Sequence, residues 1–278
     1  MNKAVRTRAG AAMAGAVLLV GGLTACGGDK AGADGGKAGA DRKAGATASA
    51  PAQTPAEAVK ASYLKTVKAG FAKAELTTVG ADGKTLKQSG TKGWYPSTHD
   101  MTLTRDTGDT RSIMLGDTVY SHMDKPVDGK VWMRMELAKD GKPGVRLNED
   151  PAEYLAMLLG QQKLTFAGAE QTGGAETRHF KAALTNEDLL KADESGKVME
   201  EKDRAYLHEA LKKISAVEVD LWIGADGHPA RVDSVTTGEE GTSKTAATFS
   251  DYGSVPAITA PPEGEVILFD EVMKRSGS

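Results

Sequence analysis

The chain has 278 residues, room for one large domain or two small ones. Apolar residues make up 40% and charged residues 26%, the balance of a soluble globule, and a single cysteine excludes both an internal disulfide framework and a zinc site built on cysteines. The formal net charge is −3 and no block of five Lys or Arg exists, so nucleic acid is not an expected partner.

The first residues carry an export pattern. Lys3, Arg6 and Arg8 form a short positive segment, and from Ala9 to Leu23 there is no charge. That run is too short for a membrane span of ~20 residues and suits a cleaved signal segment. It ends in Leu23-Thr24-Ala25-Cys26, which resembles the bacterial lipobox. The resemblance implies that residues 1–25 are a lipoprotein signal peptide. It also implies a diacylglyceryl group on the Cys26 thiol, with Cys26 the mature N-terminus at the extracytoplasmic face of the cell membrane. Two acyl chains, at ~0.8 kcal/mol per buried CH₂, hold a protein on a bilayer where one chain is marginal. Cleavage removes Lys3, Arg6 and Arg8 but no acid, so the net charge goes from −3 to −6, and attraction to an anionic bilayer is excluded as the anchor.

Residues 26–53 read as a tether: beyond Cys26 they are Gly, Ala, Asp, Lys, Ser, Thr and a few others, with no apolar residue larger than Ala. Such a segment cannot bury enough surface to offset its ordering, and its reach is roughly 30 Å. The folded domain is expected over residues 54–272. It opens at Thr54-Pro55-Ala56-Glu57, a capping box with Pro at the first helical position. Val59, Tyr63, Val67 and Phe71 follow at fourfold spacing, predicting an amphipathic helix of about 20 residues. Asp150-Pro151-Ala152-Glu153 repeats the cap before a helix stopped by Gly160, Thr185-Asn186-Glu187-Asp188 opens a short third one, and residues 197–213 carry a further helical pattern.

Between the helices the period becomes two. Val131, Met133, Met135 and Leu137 alternate with Trp132, Arg134 and Glu136; Val217, Val219, Leu221 and Ile223 alternate with Glu218, Asp220 and Trp222. Turn signals such as Ala81-Asp82-Gly83, Asp128-Gly129 and Ala225-Asp226-Gly227 separate the runs. The pattern predicts about eight to ten antiparallel strands over 75–135, 162–184 and 214–270, one face dry and one wet, in an α+β fold with one sheet. One long helix and a few short ones must cover that dry face. Either they seal it, or a gap lined by Met and aliphatic side chains remains, suited to an acyl chain. The candidate lining is Val131, Met133, Met135, Val217, Val219, Leu221 and Ile223, with Leu155 and Leu158 as a lid.

The segments "VEVDLWIGADGHPARVDSV" and "TFSDYGSVPAITAPPEGEV", following the lipobox, tether, first helix and meander, resemble the actinobacterial LppX/LprG lipoproteins, which are similar to the carriers LolA and LolB. The resemblance covers about residues 54–266. It implies a curved antiparallel half-barrel sheet wrapped over a long N-terminal helix and short helical inserts, with a cavity for a lipid or acylated glycolipid. "ILFDEVMKRSGS", after Val266, has no counterpart in that pattern.

No chemistry competes with this. His99, His122, His179, His208 and His228 are scattered singly, without metal-ligand spacing, and no Gly-x-Ser-x-Gly, Walker loop or Gly-x-Gly-x-x-Gly after a strand occurs. No catalytic residue, metal or cofactor is expected, and the chain is read as a monomer and not an enzyme. Glu187, Asp188, Asp193 and Glu194 read as a solvated helix face, and Trp94-Tyr95 as edge packing or a cavity rim. Two functions remain open: a membrane-anchored carrier of a hydrophobic ligand, and a LolA-like envelope-stress or signalling module that grips a protein partner without a ligand.

Overall fold

A computed structural model describes residues 53–137, 149–195, 209 and 212–276. The chain divides into two units, Met1–Ser49 and Ala50–Ser278, and the described residues all belong to the second. The signal peptide, the lipobox with Cys26, nearly all of the tether and almost the whole helical pattern at 197–213 lie outside the described residues.

Helix α1 spans Pro55–Ala69. Its capping box is formed: the Thr54 hydroxyl accepts from the Glu57 N–H, and the Glu57 carboxylate accepts from the Thr54 N–H at 2.9 Å. The helix is shorter than its periodicity predicts. Gly70, at φ +78°, turns the chain, and Phe71 opens strand β1 (Phe71–Val79) instead of a fifth turn. The buried side of α1 is Ala58, Val59, Ser62, Tyr63 and Thr66, while Leu64 faces solvent. Helix α2 (Pro151–Leu158) is capped by Asp150 and is buried along its whole length. Helix α3 (Asn186–Ser195) begins with a reciprocal Thr185–Asp188 pairing and buries Leu189.

The strands after β1 are β2 (Thr85–Gly93), β3 (Thr98–Arg105), β4 (Gly108–Leu115), β5 (Thr118–Val127) and β6 (Lys130–Glu136). After α2 come β7 (Thr165–Thr172) and β8 (Ala175–Thr185). After α3 come β9 (Ile214–Gly224), β10 (Pro229–Gly238) and β11 (Gly241–Ser250). The unplaced tail forms a short strand β12 (Val266–Leu268) and a last helix α4 (Phe269–Ser276), so structure continues past residue 272. All twelve strands make one open, curved sheet in the order β12-β6-β5-β4-β3-β2-β1-β11-β10-β9-β8-β7, the α+β architecture expected. It is two meanders, β1–β6 and β7–β11, joined where β1 pairs with β11; among the described strands only β12 is parallel to its neighbour.

One core occupies one face. Helices α1, α2 and α3 pack in succession, and their apolar sides meet Ala72, Ala74 and Leu76 of β1, Phe180, Ala182 and Leu184 of β8, Val217, Val219, Leu221 and Ile223 of β9, Val232 of β10 and Phe249 of β11. The "ADGHP" hairpin and the "SDYG" turn lock onto the end of α1. The His228 ring stacks on Tyr252 at 4.2 Å, the Tyr252 hydroxyl donates to Pro229 O at 2.8 Å, and Gly253 N–H donates to Phe71 O at 2.8 Å. Lys65 on α1 donates to the carbonyl of Asp226, and the Trp94 indole N–H donates to Thr66 O at 3.0 Å. Of the two roles open to Trp94, it takes packing. These two motifs therefore hold the long helix on the sheet.

Candidate functional site

Register extends the helix-bearing face across the whole sheet, because paired residues of adjacent strands share a side. One row runs Phe249, Ala74, Gly90, Met101, Ser112, Ser121, Met133 and Ile267. A second runs Ala72, Lys92, His99, Met114, Val119 and Met135. Gly90 is where the covered part gives way to the β3–β6 wing. Its φ is +152°, and a Cβ there would lie 2.1 Å from the Asp100 carbonyl oxygen, so β2 and β3 approach in a way only glycine permits.

The sequence candidates fall into two places. Val217, Val219, Leu221, Ile223, Leu155 and Leu158 sit together in the core, each no more than 2% exposed. The space between α2 and strands β9 and β10, lined by Glu149, Glu153, Tyr154, Met157, Val217 and Thr236, amounts to about 10 Å³, at the lower limit for one water. Val131, Met133 and Met135 lie on the same face but with seven strands in between, half-buried and outside that core. They continue the face with the half-buried Val119 and the buried Met114 and Ile267, while Met101 and Leu103 of β3 still belong to the core and its margin. Among the described residues α2 makes its main sheet contacts with β10, and α3 with β8 and β9.

Between the two places lies a buried polar cluster that sequence reading missed. Asp150 and Glu153 belong to the α2 cap, where Asp150 Oδ1 accepts from Glu153 N–H at 2.8 Å. Glu153 does not close the box on its N-cap; its Oε2 accepts from the N–H of Glu149 at 2.7 Å. Glu149 Oε1 in turn accepts from Thr245 Oγ1 at 2.8 Å. Burial, then the nearby Asp150 charge, pushes the Glu153 carboxyl up to about 8, against the Glu149 N–H and Lys92, which draw it down. Lys92, only 6% exposed, is the cation facing it. The hydroxyls of Tyr63 and Tyr95 are buried beside each other, with their pKa values pushed up chiefly by burial. Neither makes a well-formed hydrogen bond, and nor do Ser62 Oγ and Thr66 Oγ1 on the same side of α1.

The outer face is less wet than alternation suggests. Trp222 is stacked on His179 at 4.2 Å, lies under Arg231, and donates to Glu170 Oε2 at 3.0 Å. Trp132 lies edge-on to His122 under Arg111. Both nitrogens of His179 face carboxylates, Glu170 at 2.7 Å and Asp220 at 2.6 Å. The Trp222 N–H, then His179, holds Glu170 below its ordinary value. Burial opposes ionisation of Asp220, but Lys181 and His179 together hold it low. These ladders stiffen the sheet; among the described residues no His, Cys, Asp and Glu group is arranged to hold a metal, and no helix is long and apolar enough to cross a membrane.

No model of a known protein family matches the sequence. Over 98% of both chains it is 26% identical to a Streptomyces coelicolor protein named "Putative lipoprotein SCO4650". Among solved structures, lipoprotein LppX of Mycobacterium tuberculosis overlaps 74% of this chain and 98% of its own at 16% identity and a TM-score of 0.43. LprF of Mycobacterium bovis overlaps 74% and 96% at 13% identity and a TM-score of 0.44. The chain is similar to actinobacterial lipoproteins of the LppX and LprF kind. The resemblance read from the lipobox, the meander and the closing hairpin names the LppX/LprG lipoproteins, and LppX is common to both.

Proposed function

We propose that this protein is a lipoprotein held at the extracytoplasmic face of the membrane by a diacylglyceryl group on Cys26, with residues 26–53 as its tether, and that its domain from residue 54 carries a hydrophobic, acyl-bearing ligand. It is a carrier and not an enzyme. One observation carries the reading: the helix-bearing face stays apolar beyond the core cluster, through the buried Met114 and the half-buried Val119, Met133 and Met135. Val131, Met133 and Met135 are the candidate lining. Val217, Val219, Leu221, Ile223, Leu155 and Leu158 support that wall from the closed core. An acyl chain laid on such a surface is stabilised by roughly 25 cal/mol per Å² of apolar area removed from water. The Streptomyces coelicolor relative, matched end to end and named as a lipoprotein, supports the anchor.

The test is native mass spectrometry of the purified full chain. Co-purified lipid, or uptake of a fluorescent fatty acid that falls when Met133 and Met135 are changed to Asp, is expected; no lipid in either form refutes the carrier. Cys26→Ser should move the protein out of the membrane fraction, and its retention there would refute the anchor.

A second reading has its own support. Edge strand β7 is eight residues long and carries Phe166, 52% exposed, which suits strand addition by a protein partner. Pull-down by the carrier-dead double variant would favour it.

A further inference from the structure

The outer face of the sheet, opposite the helices, has a hollow of its own. Register lines up Arg231, Thr248, Glu75, Ser89, Thr102 and Arg111 in one row across the neighbouring strands β10, β11, β1, β2, β3 and β4. At ~4.8 Å per strand the row is roughly 24 Å long. In its middle lies a hollow of about 330 Å³, walled by Lys73, Glu75, Ser89, Thr91, Thr248 and Ser250. The residues between them belong to the other side: Ala74 and Phe249 are buried in the core, and Gly90 has no side chain. The hollow therefore opens outward, with backbone as its floor.

Both ends of the row are built alike. Arg111 donates to Asp100 from Nε and Nη2 at 2.9 and 2.8 Å and lies over Trp132. Arg231 donates to Asp233 from the same two nitrogens at 2.9 and 2.6 Å and lies over Trp222. Each guanidinium is thus fixed by a carboxylate and an indole, remains open to solvent, and keeps N–H groups for another acceptor.

Charge narrows the ligand. Lys73 pairs with Asp251 at 2.6 Å, so all three cations of the hollow and its ends already face a carboxylate. Glu75, at the centre, has no cation paired with it among the described residues. A polyanion would meet that carboxylate and no spare positive charge. A peptide strand has no edge to add to here, because β11, β1 and β2 each pair on both sides. What the face offers instead is four hydroxyls, each able to donate and accept, one carboxylate acceptor and two fixed N–H forks. That set is the complement of a chain of uncharged alcohols.

We infer that this face binds a neutral polysaccharide, which lies across the strands from Arg231 to Arg111 with one sugar seated in the hollow against Glu75, Ser89 and Thr248. The contacts cost little ordering, since the arginines are held by their aspartates and the Ser and Thr side chains are short. The apolar face lies on the other side of the sheet, so this site is independent of the carrier reading and does not compete with an acyl ligand.

The experiment presents the purified full chain to an array of neutral oligosaccharides of hexoses, pentoses and N-acetylhexosamines, with polygalacturonate as the charged control. Retention on at least one neutral series, and weaker retention on polygalacturonate, is expected. Thr248→Trp, which fills the hollow from an exposed position, should lower retention at least tenfold. Thr248→Val and Ser89→Ala keep the shape and should each weaken it about fivefold, the worth of one hydrogen bond. Melting temperature and acyl-probe uptake should stay at wild-type values in all three. No retention on any neutral series, or tighter retention on polygalacturonate than on all of them, overturns the inference. So does retention unchanged by Thr248→Trp. If that variant melts lower than the wild type, the two shape-keeping variants decide, and unchanged retention in both overturns the inference. None of these results touches the carrier, which stands or falls on acyl-probe uptake.

Discussion

The two meanders of the sheet are built alike and finished differently. Strands β8–β11, together with β1, place Phe180, Leu184, Val219, Leu221 and Val232 against α1, α2 and α3, and the space lined by Glu153, Tyr154, Met157 and Val217 beneath α2 is about 10 Å³. Strands β3–β6 continue the same face with Met133 and Met135 half-buried and with Ser112, Ser121 and His99 interspersed. The lesson is that an alternating apolar pattern reports a face and not its use. Identical periodicity gives a sealed core where helices arrive, and a surface suited to a guest where the described helices do not.

The contrast is breakable, most strongly at its closed end. Leu221→Ala and Leu155→Ala, at fully buried positions, should each cost about 2–5 kcal/mol in urea unfolding. Met135→Ala should cost only about 1 kcal/mol yet weaken acyl-probe binding. Equal losses at the two ends would erase the distinction. At the boundary, Gly90→Ala drives a Cβ to within 2.1 Å of the Asp100 carbonyl and should cost about 1–3 kcal/mol; a neutral result would mean that β2 and β3 can separate freely.

The polar cluster between the meanders should show itself through pH. The Glu153 carboxyl has its folded value raised to about 8 from 4.5, so the fold favours the protonated form. Its contribution is complete below about pH 4.5 and is lost as pH rises through about 8. The urea midpoint of the wild type should therefore fall between about pH 4.5 and pH 8, and Glu153→Gln should flatten that fall; an unchanged slope would remove Glu153 from the interior. Glu170 and Asp220, held low instead, lose their contribution only as pH drops through their depressed values, outside that window. The smallest effect belongs to the exposed Lys191–Glu187 pair on α3. Lys191→Ala should change stability by less than about 0.5 kcal/mol, and a larger loss would mean that α3 is held by its surface and not by Leu189.

Local chemistry made much of this fold legible. Thr54-Pro55-Ala56-Glu57 and Asp150-Pro151 opened helices where their caps predict, and the alternation of β6 and β9 assigned the correct side to Met133, Met135, Val219 and Leu221. Alternation could not tell which strands are neighbours, and so grouped two stripes that have seven strands between them. The first helix was read too long because Phe71 keeps the fourfold spacing, while the turn at Gly70 depends on a single backbone angle. The polar cluster had no linear signature at all: Tyr63, Lys92, Tyr95 and Glu153 come from α1, β2, the turn after it and α2. Each has a bland reading alone, and only the tertiary structure brings them within reach of one another.

The joint between the meanders also bears on how the chain is made. Residues 73–79 pair with residues 244–250, so the first strand of the sheet waits until almost the whole polypeptide has been synthesised before its second neighbour exists. Each meander can zip from local hairpins, whereas this ladder and the β6–β12 pairing must close long loops and should set the folding rate. Until then β1 and β11 are bare edges, the segments most exposed to mispairing with another chain.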